Sequence, residues 1–292
     1  MQGFGLIVIA LALGIFWKLL QNSLMTWKVF GLKFLVTDVW DPVQDIYGAL
    51  PFIFGTLVSS ALALLIAVPL GVGSAIFLAE MAPKRLAGVV TFLIELLAAV
   101  PSVILGLMGI FILVPAVRWA QPGIEKVLGF LPFFRGAPYG VGLFTAGLIL
   151  AIMILPYITS ISRDVILSVP QILKEASLGL GATHWEMVRM VVLPFARSGI
   201  MGSIFLALGR ALGETMAVTM VIGNSPKISL SLFEPAYSMS AVIANEFAEA
   251  ASNASLSALF AIALTLFGIT VVVNGFARLL IYKTTLRTGK KR

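Results

Sequence analysis

The chain contains no cysteine and a single histidine, and only 11% of its 292 residues are charged, less than half of the roughly 25% usual in soluble domains. Without cysteine there is neither a disulfide framework nor a thiolate metal site. His184 alone supplies no histidine cluster and sits in the first turn of a short capped helix without partners for catalysis, so neither a metal site nor a catalytic role is expected of it. The phosphate-cradling pattern GxxxxGK[ST] is absent, which excludes ATP binding through a P-loop. HExxH and GxSxG are absent as well. No cofactor is expected, and an enzyme working inside a membrane would have only Arg210, Glu95 and Glu214 to work with.

What the chain has in quantity is apolar surface. Apolar residues make up 60% of it, more than a soluble fold of this length can bury, whereas a bilayer accepts an apolar exterior. Residues 51–79, 136–162 and 250–277 carry no charge over 29, 27 and 28 positions. Residues 86–117 carry only Glu95, and 198–226 only Arg210 and Glu214. About 20 helical residues cross the hydrocarbon core, so each run is long enough. The runs are continuous rather than alternating, and too long for barrel strands of about 10 residues. A weaker run at 3–17 reaches spanning length if Lys18 snorkels; it lacks the basic flank and small-residue cleavage site of a signal peptide. The expectation is an all-α membrane protein of about six transmembrane helices.

An even number of spans puts both termini on one side. With the turn at Lys84 and Arg85, residues 163–197 and the tail from Arg278 on that side, it holds 12 of the 20 Lys and Arg, and the other side holds six. Positive loops stay cytoplasmic, so both termini are expected inside. Lys290, Lys291 and Arg292 then read as a topology anchor, and the net charge of +7 requires no nucleic acid.

Residues 163–197 read as two short helices rather than a slack loop. Ser168-Val169-Pro170-Gln171 has the form of a capping box with an early proline, and Gly179 and Gly181 supply a stop. Thr183-His184-Trp185-Glu186 is a second capping box, opening a helix expected to end before Pro194. The small residues between them would let another protein approach the backbone.

Lys174-Glu175-Ala176-Ser177, with Gly181 and then Leu193-Pro194, resembles the EAA loop of bacterial ABC-importer permeases, Ser177 standing for another small residue. Ile46-Tyr47-Gly48-Ala49-Leu50-Pro51-Phe52, Ile94-Glu95-Leu96-Leu97-Ala98-Ala99-Val100-Pro101-Ser102, Gly209-Arg210-Ala211-Leu212-Gly213-Glu214-Thr215-Met216-Ala217-Val218 and Ala244-Asn245-Glu246-Phe247-Ala248-Glu249-Ala250 are similar to the phosphate permeases of the PstC type. The similarity runs from about Trp40 to the end. It implies an ABC importer permease fold with cytoplasmic coupling helices: a first helix and external segment over 1–50, then a permease domain over 51–292. It further implies an ATPase docking through Glu175, Ala176 and Gly181, and phosphate as cargo. The implied partners are a second permease subunit, a dimer of ATP-binding subunits and a periplasmic or extracellular phosphate-binding protein, in a bacterial cytoplasmic membrane.

An arginine in the middle of a span costs about 2.5–3.5 kcal/mol on insertion scales. Arg210 is followed one turn later by Glu214, beside a GxxxG formed by Gly209 and Gly213 that would admit a neighbouring helix. The two charges serve either as a packing ion pair or as part of a polar path, since a guanidinium fork fits phosphate oxygens. At about 100° per residue, Ala217, Val221 and Asn224 would share the Arg210 face and Thr215 and Thr219 would not. Glu95, expected inside the membrane, fits packing and path equally. Permeation of another oxyanion and ion-gradient-driven secondary transport are the alternatives; the latter has no need of a docked helix pair and shows no matching interrupted helices here.

Overall fold

The computed structural model describes the backbone of residues 2–289 and the side chains of residues 4–279; the basic tail expected as an anchor lies outside the described residues. The described chain is helical, with no strands and only isolated bridges at Asp41–Ile46 and Gly223–Ala236. The helices are α1 (Gln2–Phe30), α2 (Leu50–Ile76), α3 (Lys84–Ala99), α4 (Ser102–Met108), α5 (Val114–Leu128), α6 (Leu143–Leu167), α7 (Gln171–Gly179), α8 (His184–Met187), α9 (Leu193–Gly213), α10 (Met216–Val221), α11 (Met239–Glu246) and α12 (Asn253–Gly289). Among the described residues six stretches are long and apolar enough to cross a membrane: Phe4–Leu35, Leu50–Met81, Ser102–Leu128, Leu143–Leu167, His184–Gly213 and Asn253–Leu279.

The number of spans is as expected, but four boundaries differ. The run 86–117 is not one helix. Pro101 forces Val100 into extended backbone (φ −65°, ψ 127°), because a residue before proline is crowded out of the helical region. The 16-residue α3 ends there and a separate span begins at Ser102. Pro69 and Pro156 stay inside α2 and α6, where packed neighbours can re-satisfy the freed backbone groups. The run 198–226 is also broken: α9 stops at Gly213, two residues lie outside any helix, and α10 restarts at Met216. Conversely, α8 does not end before Pro194 but continues through a π-turn, Val188–Val192, into α9. The first helix runs far beyond residue 17, to Phe30.

The chain forms two compact units, each gathered from separated segments: Met1–Ser59, Gly106–Gly147 and Leu212–Val272 in one, Ser60–Leu105, Leu148–Ala211 and Val273–Arg292 in the other. Lipid tails are as apolar as the helices, so close packing and polar contacts rather than water exclusion hold helices together. The first unit centres on Phe34, Tyr47, Phe52, Tyr237, Met239 and Ile262. Trp40 lies edge-on to Tyr47 and to Phe52, ring centroids 5.0 Å apart in both pairs. Gly55 admits the Tyr237 carbonyl so closely that an added Cβ would lie 2.1 Å from its oxygen. The second unit packs Ala75 against Ile166, Val169, Met187, Val192 and Ile200. Its α6 and α9 are tied by a hydrogen bond between the fully buried Ser162 and Ser203 hydroxyls, 2.8 Å apart.

Candidate functional site

The segment 163–197 is anchored rather than loose. The expected capping box at Ser168 does not form: α7 opens at Gln171 on a Pro170 cap without a side-chain bond, and the Ser168 hydroxyl donates instead to the Val165 carbonyl at the end of α6. The box at Thr183 forms in full, with the Glu186 amide donating to the Thr183 hydroxyl (3.3 Å) and the Thr183 amide donating to the Glu186 carboxylate (2.8 Å). Gly181 has φ +89°, a left-handed value that L side chains resist, and an added Cβ would meet nothing within 4 Å. Glu175, Ala176 and Gly181 are exposed.

Lys174, one residue from Glu175, points the other way. Its ammonium lies 2.5 Å from the Glu80 carboxylate, with both side chains less than 10% exposed. Glu80 sits in the π-turn Phe77–Met81 that ends the second span, and its carbonyl is 2.9 Å from His184 Nε2. One residue therefore holds both short helices to the end of that span, and His184 has a structural contact. Sequence reading missed this arrangement because Glu80 and Lys174 are 94 positions apart.

Arg210 lies in the last turn of α9, not the middle of a longer helix. The partial negative charge at a helix C-terminus favours a cation there. Its guanidinium carbon sits over the Tyr157 ring, 4.5 Å from the centroid. It has no hydrogen bond or ion pair among the described residues, and its Nε is buried without a partner. The Glu214 carboxylate accepts from the Ala217 amide (3.3 Å), and its carbonyl accepts from the Ser240 hydroxyl (2.7 Å). Arg210 forms no ion pair among the described residues, so the packing alternative finds no support there. Nor do Gly209 and Gly213 bring in a helix among the described residues, because an added Cβ at either would meet nothing within 4 Å.

Two other candidates lose the grounds on which they were chosen. Glu95 is exposed on the 16-residue α3, which lies outside the six stretches long and apolar enough to cross a membrane among the described residues. The shared face drawn through Ala217, Val221 and Asn224 does not exist, since the helix ends at Gly213. Ala217 and Val221 are fully buried. Asn224 is exposed at φ +50°, and its side-chain amide donates to the Thr219 carbonyl (3.0 Å).

The segments around Tyr47 and Glu246 are brought together in the first unit. Trp40 Nε1 donates to the Glu246 carboxylate (2.8 Å), and the Asn245 side-chain amide donates to the Tyr237 hydroxyl (3.0 Å). Burial pushes the Glu246 carboxyl above the ordinary carboxylate range; the Trp40 bond opposes this and Glu249 adds to it.

Comparison with known proteins agrees with this architecture. Residues 67–285 match the family described as the binding-protein-dependent transport system inner membrane component. A "phosphate transport system permease protein PstC" of Mesorhizobium japonicum is 48% identical over 289 residues, covering 97% of this chain and 88% of that protein. One of the same name from Haemophilus influenzae is 50% identical over 292 residues, covering 98% and 92%. Among solved structures, an inward-facing MetNI methionine ABC transporter chain superposes with a TM-score of 0.55 at 18% identity over 81% of this chain and 94% of that one. A chain of a bacterial ABC transporter involved in the import of the acidic polysaccharide alginate gives 0.55 at 18%, over 90% and 94%. The helical order, the six spans and these similarities together show that the chain belongs to the binding-protein-dependent transport system inner membrane component family, among its PstC-type permeases.

Proposed function

We propose that this chain is the membrane permease subunit of an ATP-driven importer whose cargo is inorganic phosphate. It pairs with a similar permease and stands with both termini in the cytoplasm. ATP is hydrolysed on a separate pair of subunits docked on the segment 163–197 through Glu175, Ala176 and Gly181, and a binding protein delivers phosphate on the opposite side. Docking there is supported by the apolar side chains that segment leaves uncovered, among them Leu180 at 90% and Ile172 at 73% exposure.

The observation that carries the mechanism is the uncommitted guanidinium of Arg210. The Arg210 side chain is half-buried: Nε is shielded, while the terminal guanidinium nitrogens, also without partners among the described residues, are not fully buried and can meet an anion passing the end of α9. Phosphate oxygens match the fork geometry, and an Arg with no carboxylate bound to it can take the ion and release it without first breaking an ion pair.

Uptake of labelled phosphate into proteoliposomes tests the proposal. Uptake is expected only when ATP, the ATPase subunits and the binding protein are all present, and excess sulfate should leave it nearly unchanged. Uptake driven by an ion gradient without the ATPase would contradict it, and equal competition by sulfate would contradict the assignment of cargo.

A further inference from the structure

We infer that Tyr157 is a positioning residue for Arg210: its ring holds the guanidinium at the end of α9 while leaving the hydrogen-bonding fork to the anion. This rests on the placement of Arg210 on the phosphate path. A cation within about 6 Å of a ring centroid is attracted by the negative face of the π system, and the Arg210 guanidinium carbon is 4.5 Å from that of Tyr157. A carboxylate at the same place would bind the fork through its lone pairs and compete with phosphate. A ring attracts the charge and offers the fork no lone pair. The terminal nitrogens of Arg210 accordingly have no hydrogen-bond partner among the described residues and are not fully buried, while Nε is shielded.

The ring is also well placed to hold a position. Tyr157 is in the interior of α6 and Arg210 on α9. These two helices are fixed against each other by the buried Ser162–Ser203 hydrogen bond and by Gly199, where an added Cβ would lie 2.5 Å from Val165 Cγ1. Side chains carried on such a rigid pair are held more tightly than side chains on loops. The Tyr157 hydroxyl makes no hydrogen bond among the described residues, so the ring and not the hydroxyl is the active part.

The test uses the whole reconstituted transporter, with uptake normalised to assembled complex. Tyr157→Phe and Tyr157→Trp keep most of the uptake, and Tyr157→Leu loses about tenfold. Fluorinated phenylalanines installed at position 157 withdraw electron density from the ring at nearly constant volume. Uptake should fall step by step with each added fluorine, which a residue serving only to fill space would not show. A flat fluorine series, or parental uptake in Tyr157→Leu, overturns the inference. So does a Tyr157→Phe variant as impaired as Tyr157→Leu, since the hydroxyl would then carry the effect. If Tyr157→Leu fails to assemble, the fluorine series still decides. Arg210→Met is measured alongside: if it transports normally, the path reading itself fails, whereas a dead Arg210→Met with a flat fluorine series removes only the role of Tyr157.

Discussion

Two cations in the same compact unit are treated in opposite ways. Lys174 is buried against the Glu80 carboxylate at 2.5 Å, and His184 meets the carbonyl of that same glutamate. Arg210 is half-buried over an aromatic ring, with no carboxylate partner among the described residues. Lys174 is used up in structure: it ties the segment 163–197 to the end of the second span, so a push on one is felt by the other. Arg210 is positioned but its donors are not spent. A buried ion pair makes a fixed joint, and a cation held by a ring makes a site that can fill and empty.

The largest effect should come from breaking the joint. Glu80→Leu or Lys174→Met alone leaves an uncompensated buried charge, at a cost of about 3–5 kcal/mol. Each single variant should give little assembled complex by size-exclusion chromatography in detergent. The double variant should recover much of the assembly, because apolar replacement of a buried pair is often neutral or stabilising. If either single variant assembles normally, Lys174 is not the joint described here, and its contrast with Arg210 collapses.

Gly181 sharpens the same comparison on the outer face of the segment. Its left-handed φ of +89° adds about 1–2 kcal/mol of backbone strain to most side chains, while Asn tolerates that region better. Gly181→Asn should therefore assemble and keep a good part of ATP-driven uptake. Gly181→Trp should reach the membrane in near-normal amount and lose uptake, having blocked the docking face. Equal uptake by the two would argue against docking there. A cysteine at Leu180, 90% exposed, is a suitable reporter of the side on which this face lies, whereas Lys174 is buried and is not. Labelling of Leu180→Cys from the cytoplasmic side is expected.

The smallest effect concerns Glu246, a half-buried carboxyl that accepts a hydrogen bond from Trp40 Nε1. Its carboxyl is raised by burial, so its contribution to stability is greatest below the ordinary carboxyl range and is lost as pH rises through the raised value. The thermal midpoint of the parent should accordingly decline as pH rises above the ordinary carboxyl range, and Glu246→Gln should reduce that decline. An unchanged slope would show that Glu246 is not desolvated as described.

The parts of this structure legible in the sequence are those with local causes. Six spans follow from long apolar stretches with few or no charges, and the Thr183 capping box follows from residues three apart. The helix ends were harder to read. Pro101 terminates α3 while Pro156 stays within α6, and nothing in the residues beside them distinguishes the two outcomes; packing does. That is why Glu95 moved off a span, and why a wheel drawn past Gly213 had no helix to lie on. Arg210 was visible as a charge in an apolar run, but the only neighbour the sequence offered for it was the carboxylate one turn away, Glu214. Tyr157 lies in a different run, and only the pairing of α6 with α9 brings it to the guanidinium.

The central claim, that Arg210 keeps its donors for the cargo, is tested most directly by ATP-driven phosphate uptake per assembled complex in Arg210→Met and Arg210→Lys. Since a ring rather than a carboxylate holds the guanidinium, removing it strands no ion-pair partner, and both variants should assemble. Arg210→Met should lose uptake by about two orders of magnitude, as expected when a charge-matched donor set is removed, and Arg210→Lys should stay strongly impaired because it keeps the charge and loses the fork. Uptake near the parent level in an assembled Arg210→Met complex would contradict the account.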